Sequence, residues 1–379
     1  MVNSTSSAQE SILVGLLERN KIEALMFSPT SGTYVLVNAK KDTIYRLQSD
    51  DVISIAKKNG RLIIQGVYGF LDTTNAISFV GSGANPAFKL KINENTFTYS
   101  DDLILSVKNG GIRLINQVNI EAYVAKVVRC EVGYGAELEY YKIQSIISRT
   151  YAFKNLRRHQ AEGFDLCDEE HCQVYRGDVK ITKPIYEATV STSGLVMVDT
   201  SNQLILSAFH ANCGGQTCNS QNVWREKRSY LTSVLDTFCV GERSALWEKA
   251  IEKKELINQL HFKPDALNHT DFTFSQDERK FMFCIGKDSI PLNEMRILLR
   301  LRSTFFDVSC DGNNFIFKGK GYGHGVGLCQ QGAMKMTTHG YNYSQILGYY
   351  YKGVGLVPYD TIQHPDSVTP VLSPQKQRR

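Results

Sequence analysis

No apolar run in this sequence approaches the ~20 uninterrupted residues of a membrane-spanning helix, so the chain is not expected to cross a bilayer. Neither sign of charge prevails: 43 lysines and arginines face 38 aspartates and glutamates, and a scattered net charge of +5 does not mark a nucleic-acid surface. Nucleotide signatures are missing too. There is no Gly-Lys-Ser/Thr, and no G-x-G-x-x-G follows an apolar strand with an acidic residue ~20 positions on. The nine cysteines, at 130, 167, 172, 213, 218, 239, 284, 310 and 329, form neither a dense disulfide framework nor a paired C-x-x-C ribbon. Being odd in number, they leave at least one thiol outside any intramolecular pair. The opening Met1-Val2-Asn3-Ser4 lacks the basic and apolar regions of a secretion signal, so either the protein is cytosolic or such a signal has been removed.

What is present is ordinary globular material: 379 residues, 42% hydrophobic and 21% charged, enough for two or three domains and unlike a disordered, collagenous or coiled-coil chain. Residues 11–115 read as a β-rich part. Lys58-Asn59-Gly60 and Lys108-Asn109-Gly110 each sit between apolar runs, and Asn-Gly supplies the two positive φ angles of a type I′ hairpin turn. Asn119 then caps a helix carrying Tyr123, Val124, Val127 and Val128 on one face, ending near Cys130 before Gly133. A longer helix is expected from about Ala136 to Arg158, and a loop from Gly163 to Gly177. Strands are expected at 185–198 and 203–210, and helices at 245–262, 330–338 and 344–351. The fold class is α+β: a disordered N-terminus at 1–10, a β-rich N-terminal part, a mixed body over 116–357 and a C-terminal tail over 358–379, with 1–10 and Pro365 to Arg379 read as frayed ends.

Three segments carry chemistry. Glu131 follows the end of the first helix, where the negative end of the macrodipole disfavours a carboxylate and Val128 and Val132 can desolvate it. Both effects raise a pKa, as a general acid near neutral pH requires. As one of 38 acidic residues, Glu131 also reads as a solvated loop carboxylate. The second segment, Cys167 to Cys172 with His171, offers thiolate and imidazole ligands suited to tetrahedral zinc, but at most three of the four a structural site needs. His159, His210 or Cys213 could complete it; a disulfide or plain buried thiols are the alternatives. In the third, Gly319 to Ala333, alternating glycines permit close backbone approach to an extended ligand, with His324 and Gln330 as polar readers.

Taken together these segments resemble the stage II sporulation protein D (SpoIID/LytB) family. The likeness is carried by Asn116, Glu121, Tyr123, Val127, Val128 and Glu131; by Glu139, Lys142, Gln144 and Arg149-Thr150-Tyr151-Ala152; and by Asp165-Leu166-Cys167-Asp168 with His171-Cys172-Gln173-Val174-Tyr175. It continues through Phe209-His210, Cys213-Gly214-Gly215 and the Gly319 to Ala333 segment, so that it spans nearly the whole chain, from about Leu13 to Gly353. Departures are Val132 for the usual Met, Ala136-Glu137 for an aromatic-proline pair, Tyr322 for Trp, and Gln331 for an aromatic.

The resemblance implies an extracytoplasmic bacterial lytic transglycosylase, secreted to the periplasm or cell wall and acting on peptidoglycan glycan strands. Glu131 would be its catalytic acid. Tyr322, His324, Gln330, Gln144, Arg149 and Tyr151 would be substrate-binding residues, and Cys167, His171 and Cys172 ligands of a structural zinc not required for chemistry. Such a reaction needs one carboxyl group, because the N-acetylmuramic acid 6-hydroxyl closes on its own C1; ordinary glycoside hydrolases use paired acids. Two other readings stand beside it. One is a non-catalytic, glycan-binding modifier of a cell-wall amidase, a role the family also includes. The other is a cytosolic metal-dependent hydrolase built on His324 and the 167–172 loop.

Overall fold

The computed structural model describes residues 11–177, 179–224, 226–242, 245–262 and 273–362. The ends expected to be frayed, 1–10 and Pro365–Arg379, lie outside the described residues. The chain is α+β and forms two compact units. Unit 1 comprises Met1–Gly135, Gln144–Leu195 and Tyr359–Arg379; unit 2 comprises Ala136–Ile143 and Val196–Pro358.

Unit 1 is built on antiparallel strands. In order they are β1 (Ser11–Leu16), β2 (Ala24–Asn38), β3 (Thr43–Leu47), β4 (Ile53–Lys58) and β5 (Arg61–Gly66). There follow β6 (Gly69–Thr74), β7 (Ala76–Ile92), β8 (Asn95–Ser100), β9 (Asp102–Lys108) and β10 (Gly111–Asn119). Both Asn-Gly hairpins form as expected. Asn59 and Gly60 (φ 51° and 74°) join β4 to β5, and Asn109 and Gly110 (φ 52° and 79°) join β9 to β10. The interior is aromatic, with Phe27 stacked on Phe79 at 3.7 Å between centroids.

Next come α1 (Ile120–Val132), α2 (Leu138–Lys154), β11 (Leu166–Cys167) and α3 (Lys183–Ser191). The eleven-stranded sheet runs β11-β1-β10-β9-β7-β2-β4-β5-β6, with β3 on β2 and β8 on β7. Helix α2 is shorter than its pattern implied, and Arg157 turns left-handed beyond it (φ 66°). Residues 185–191 are helical, a correction to the expected strand. Pro184 lies in the first turn of α3, and Ile185, Ala188 and Thr189 face the interior at helical spacing, which overrides the β-branched composition. Tyr359, expected in the C-terminal tail, stacks on Phe153 at 3.5 Å.

Unit 2 holds β12 (Leu195–Val198), β13 (Phe209–His210), α4 (Gln221–Trp224), β14 (Leu246–Glu252), α5 (Lys253–Leu260), β15 (Met282–Ile285) and β16 (Asp288–Pro291). It continues with α6 (Leu292–Leu298), β17 (Phe305–Asp311), β18 (Asn314–Lys320), β19 (Leu328–Cys329), α7 (Gln330–Thr338), α8 (Tyr343–Tyr350) and β20 (Gly355–Pro358). Strands β14, β18 and β17 form a sheet whose core includes Trp247, Phe283, Met295, Phe306 and Phe317. The helix expected over 245–262 is a strand to Glu252 and a helix only from Lys253. Trp247 and Ile251 are buried four residues apart, a spacing that periods of 2 and 3.6 both satisfy, and antiparallel pairing with β18 decides for the strand. Helices α7 and α8 lie where the sequence placed them.

Candidate active site and metal centre

Helix α1 is fixed at both ends. The Asn119 side chain accepts hydrogen bonds from the backbone N–H groups of Glu121 (2.9 Å) and Ala122 (3.3 Å). Its apolar face, Tyr123, Val124, Val127 and Val128, is fully buried. Gly133 (φ 81°) ends the helix and donates its N–H to Arg129 O at 3.1 Å. Glu131 thus stands in the last helical turn, half-buried, among carbonyls that disfavour a negative charge. Burial raises its pKa above the usual carboxylate value and Glu170 adds to the rise, while the Val174 N–H opposes both. A cleft of about 450 Å³, lined by Phe97, Arg129, Cys130, Val174, Arg176 and Val179, adjoins this helix end. The Arg129 guanidinium lies 3.4 Å from the ring centroid of Tyr134, an exposed aromatic the sequence reading passed over.

The loop after α2 returns along the sheet. Val14 and Gly15 of β1 pair in parallel with Leu166 and Cys167 of β11, placing Cys167 at the sheet edge. A turn over 169–172 then brings His171 and Cys172 back toward it. His159, Cys167, His171 and Cys172 each present one ligand atom, all within 4.8 Å of one another. Cys172 Sγ is 3.4 Å from His159 Nε2 and 3.7 Å from His171 Nδ1, and Cys167 Sγ is 3.8 Å from His171 Nδ1. The cluster can hold a metal ion, and His159 joins the three residues of the local motif as a fourth candidate ligand. It is held in place by Phe164, whose ring stacks on it at 4.9 Å between centroids. The hydrogen bond shared with Cys172, then the backbone at Glu169 and the two histidines, depresses the Cys167 thiol to about 4, while Cys167 in turn pushes Cys172 up. Of the other candidate ligands, His210 and Cys213 belong to unit 2.

Two residues expected to contact substrate, Arg149 and Gln144, lie in the interior. Arg149 is fully buried: Nε donates to Glu121 Oε1 at 2.9 Å, Nη2 to Glu121 Oε2, and Nη1 to Leu195 O at 3.0 Å. Glu121 Oε1 also accepts the Gly194 N–H at 3.0 Å. This fork locks α1 and α2 to the segment after α3. Gln144 is likewise fully buried. Tyr151 is half-buried; its hydroxyl accepts a hydrogen bond from Arg158 Nη1 at 2.9 Å and lies 3.5 Å from His171 O, beside the Cys/His cluster. Several other motif residues are interior. Asn116 donates to Ser100 O and Asp102 O, both at 2.8 Å, and accepts from the buried Tyr175 hydroxyl at 2.8 Å.

In unit 2 the glycine-rich segment is a left-handed sequence of turns, with positive φ at Gly321, Gly323, Gly325 and Gly327. At Gly327 a Cβ would lie 2.1 Å from Ala208 O, so a side chain is excluded by space as well as by φ. Tyr322 is 51% exposed, its ring free to meet a ligand. His324 is half-buried and accepts the Val326 N–H at Nδ1 (3.0 Å). Burial, then Arg296, lowers its pKa to about 4, so it is neutral at physiological pH. Its ring lies 5.1 Å from that of Trp224, an exposed aromatic not singled out from sequence. Gln330, half-buried, is the first residue of α7.

A family model described as stage II sporulation protein (SpoIID) matches residues 108–198, the span holding Glu131, the Glu121–Arg149 fork and the Cys/His cluster. An uncharacterized protein of Brachyspira hyodysenteriae is 30% identical, over 71% of this chain and 74% of its own length. The stage II sporulation protein D of Bacillus subtilis is 25% identical over 63% of this chain and 74% of its own. The amidase enhancer of Bacillus subtilis is 24% identical, over 93% of this chain and 64% of its own length. The chain belongs to the SpoIID family.

Proposed function

We propose that this protein is a peptidoglycan lytic transglycosylase working outside the bacterial cytoplasm, with Glu131 as its single general acid/base. The observation that carries the reading is the raised carboxyl of Glu131 in the last turn of α1, next to Cys130 and Val174, which line a cleft. Protonated Glu131 would donate to the glycosidic oxygen of the bond after N-acetylmuramic acid. The resulting carboxylate would take the proton of that sugar's 6-hydroxyl as the oxygen bonds to C1, leaving a 1,6-anhydro end and restoring the acid. Tyr322 and Trp224 offer aromatic faces for sugar rings, and His324 and Gln330 offer polar contacts. A zinc ion on His159, Cys167, His171 and Cys172 would be structural, with all four tetrahedral positions taken by protein. Among the described residues no helix is long and apolar enough to cross a membrane.

The test is digestion of purified glycan strands, followed by mass spectrometry of the products. Wild-type protein should release 1,6-anhydro ends, and Glu131→Gln should lower the rate by the ~10²–10⁴-fold typical of lost general acid–base catalysis. A folded Glu131→Gln protein with near-wild-type turnover would remove the assignment. The amidase enhancer relative, which aligns with 93% of this chain, favours one second reading, a glycan-binding modifier of a cell-wall amidase. That reading gains if wild-type protein yields no anhydro ends yet raises the rate of an added amidase.

A further inference from the structure

Unit 2 contains a second convergence of ligand-type side chains, which the proposed reaction does not use. Cys213, Asp236, Cys239 and Cys329 are all buried, and each offers one atom within 4.8 Å of the other three. Cys213 Sγ lies 3.3 Å from Cys239 Sγ and 3.2 Å from Asp236 Oδ2. The ligands come from separated segments: the Cys-Gly-Gly turn after β13, the Asp236 to Cys239 loop, and the residue capping α7.

The surroundings suit anionic sulfur. Backbone N–H groups of Cys213 (3.3 Å) and Gly332 (3.4 Å) point at Cys329 Sγ. The Tyr350 hydroxyl donates to Asp236 Oδ2 at 2.8 Å, the outer hydrogen bond by which ligating carboxylates are oriented. At Gly332 a Cβ would fall 2.3 Å from both Asp236 Oδ2 and the Tyr350 oxygen, so the start of α7 closes directly over the carboxylate. The guanidinium of Arg279 donates to Cys213 O at 2.6 Å, Gln216 O at 2.7 Å and Thr304 Oγ1 at 3.0 Å, placing a cation beside the cluster without neutralising it through a carboxylate. As neutral thiols the three cysteines are cheap to bury; as thiolates beside the Asp236 carboxylate they need a compensating charge, which a dication supplies.

We propose that Cys213, Asp236, Cys239 and Cys329 form a second metal site, a closed structural zinc centre. Thiolate-rich tetrahedral sets select zinc over magnesium and calcium, which take oxygen ligands. With Zn–S near ~2.3 Å the tetrahedral edges would be about 3.8 Å; Cys213 Sγ and Cys239 Sγ are 3.3 Å apart, about half an ångström inside that value, and all four atoms lie within 4.8 Å of one another. The ion would pin the Cys-Gly-Gly turn to the start of α7, at the end of the glycine-rich segment that carries Tyr322 and Gln330.

Elemental analysis and native mass spectrometry of the full chain, purified without a nickel column, test this. Two zinc ions per chain are expected. The Cys167→Ser/Cys172→Ser variant, which disables the first cluster, should keep one, and adding Cys239→Ser should remove it. Cobalt loaded into the Cys167→Ser/Cys172→Ser protein should show a thiolate-to-metal charge-transfer band that Cys239→Ser abolishes. A folded Cys167→Ser/Cys172→Ser protein without metal overturns the proposal, as does iron in place of zinc, or a Cys213–Cys239 disulfide in the wild-type peptide map. If that variant does not fold, Cys239→Ser alone decides: one ion fewer than wild type upholds the second site, and an unchanged count overturns it.

Discussion

At the scale of single residues, the chemistry of Glu131 and the packing of Arg149 make opposite demands on charge. Glu131 is held where ionisation is disfavoured, so the folded chain keeps its proton to a higher pH than the unfolded chain does. The contribution of this group to stability is therefore full below the unfolded pKa, is lost as pH rises toward the folded pKa, and stays lost above it. Glu131→Gln removes that penalty. Its melting temperature relative to wild type should rise between pH 4 and pH 7, and a difference constant across that range would mean the carboxylate is well solvated. Under the proposed mechanism turnover needs the protonated acid, and should fall as pH increases through the same raised pKa. Arg149 must instead stay charged inside the protein. Arg149→Met strands Glu121 and should cost about 3–5 kcal/mol in urea unfolding; Arg149→Lys should recover only part, since an ammonium cannot reproduce the bidentate fork. A loss below ~1 kcal/mol in Arg149→Met would show that the pair contributes no more than an exposed one.

At the scale of elements, the loop from His159 to Tyr175 has little regular structure of its own: a two-residue strand on β1, a turn, and the Cys/His cluster. Asp168 adds one anchor, its buried carboxylate accepting the Leu17 N–H at 3.0 Å. A bound ion would hold the rest. Chelation should lower the melting temperature by several degrees, while initial turnover, measured well below the new midpoint, changes little. An immediate and complete loss of turnover at unchanged melting temperature would make the metal catalytic instead. Cys167→Ser should reproduce the part of that loss that belongs to this loop, because it removes the thiol that anchors the cluster to the sheet edge. Elsewhere the elements show why pattern reading failed where it did. Segment 185–191 carries β-branched residues but buries them at helical spacing, and 246–252 has a spacing that fits helix and strand equally. In both, the neighbouring element decided.

At the scale of the molecule, each compact unit carries its own part of the proposed function. Unit 1 has the acid and the Cys/His cluster; unit 2 has the aromatic and glycine-rich surface and the buried thiol cluster. Unit 2 should therefore govern glycan affinity more than chemistry. Tyr322→Ala and Gln330→Ala should each weaken binding to glycan strands, read by pull-down or calorimetry, with Glu131's pH dependence unmoved. Unchanged affinity in both variants would reduce the glycine-rich segment to a structural turn.

The sequence by itself determined the class of fold, both Asn-Gly hairpins, the Asn119 cap and the amphipathic face of α1, because turn chemistry, capping and periodicity act over a few neighbouring residues. It also singled out Glu131 and three of the four residues of the Cys/His cluster, which lie close together in the chain. Only the tertiary structure decided which side chains are interior. Arg149 and Gln144 belong to motifs that suggested a binding surface, yet long-range packing buries them. Tertiary structure also chose His159 as the fourth member of one cluster and gathered Cys213, Asp236, Cys239 and Cys329 into another. Those residues are scattered along the chain, and their meeting depends on strand pairing and turns that no local pattern encodes.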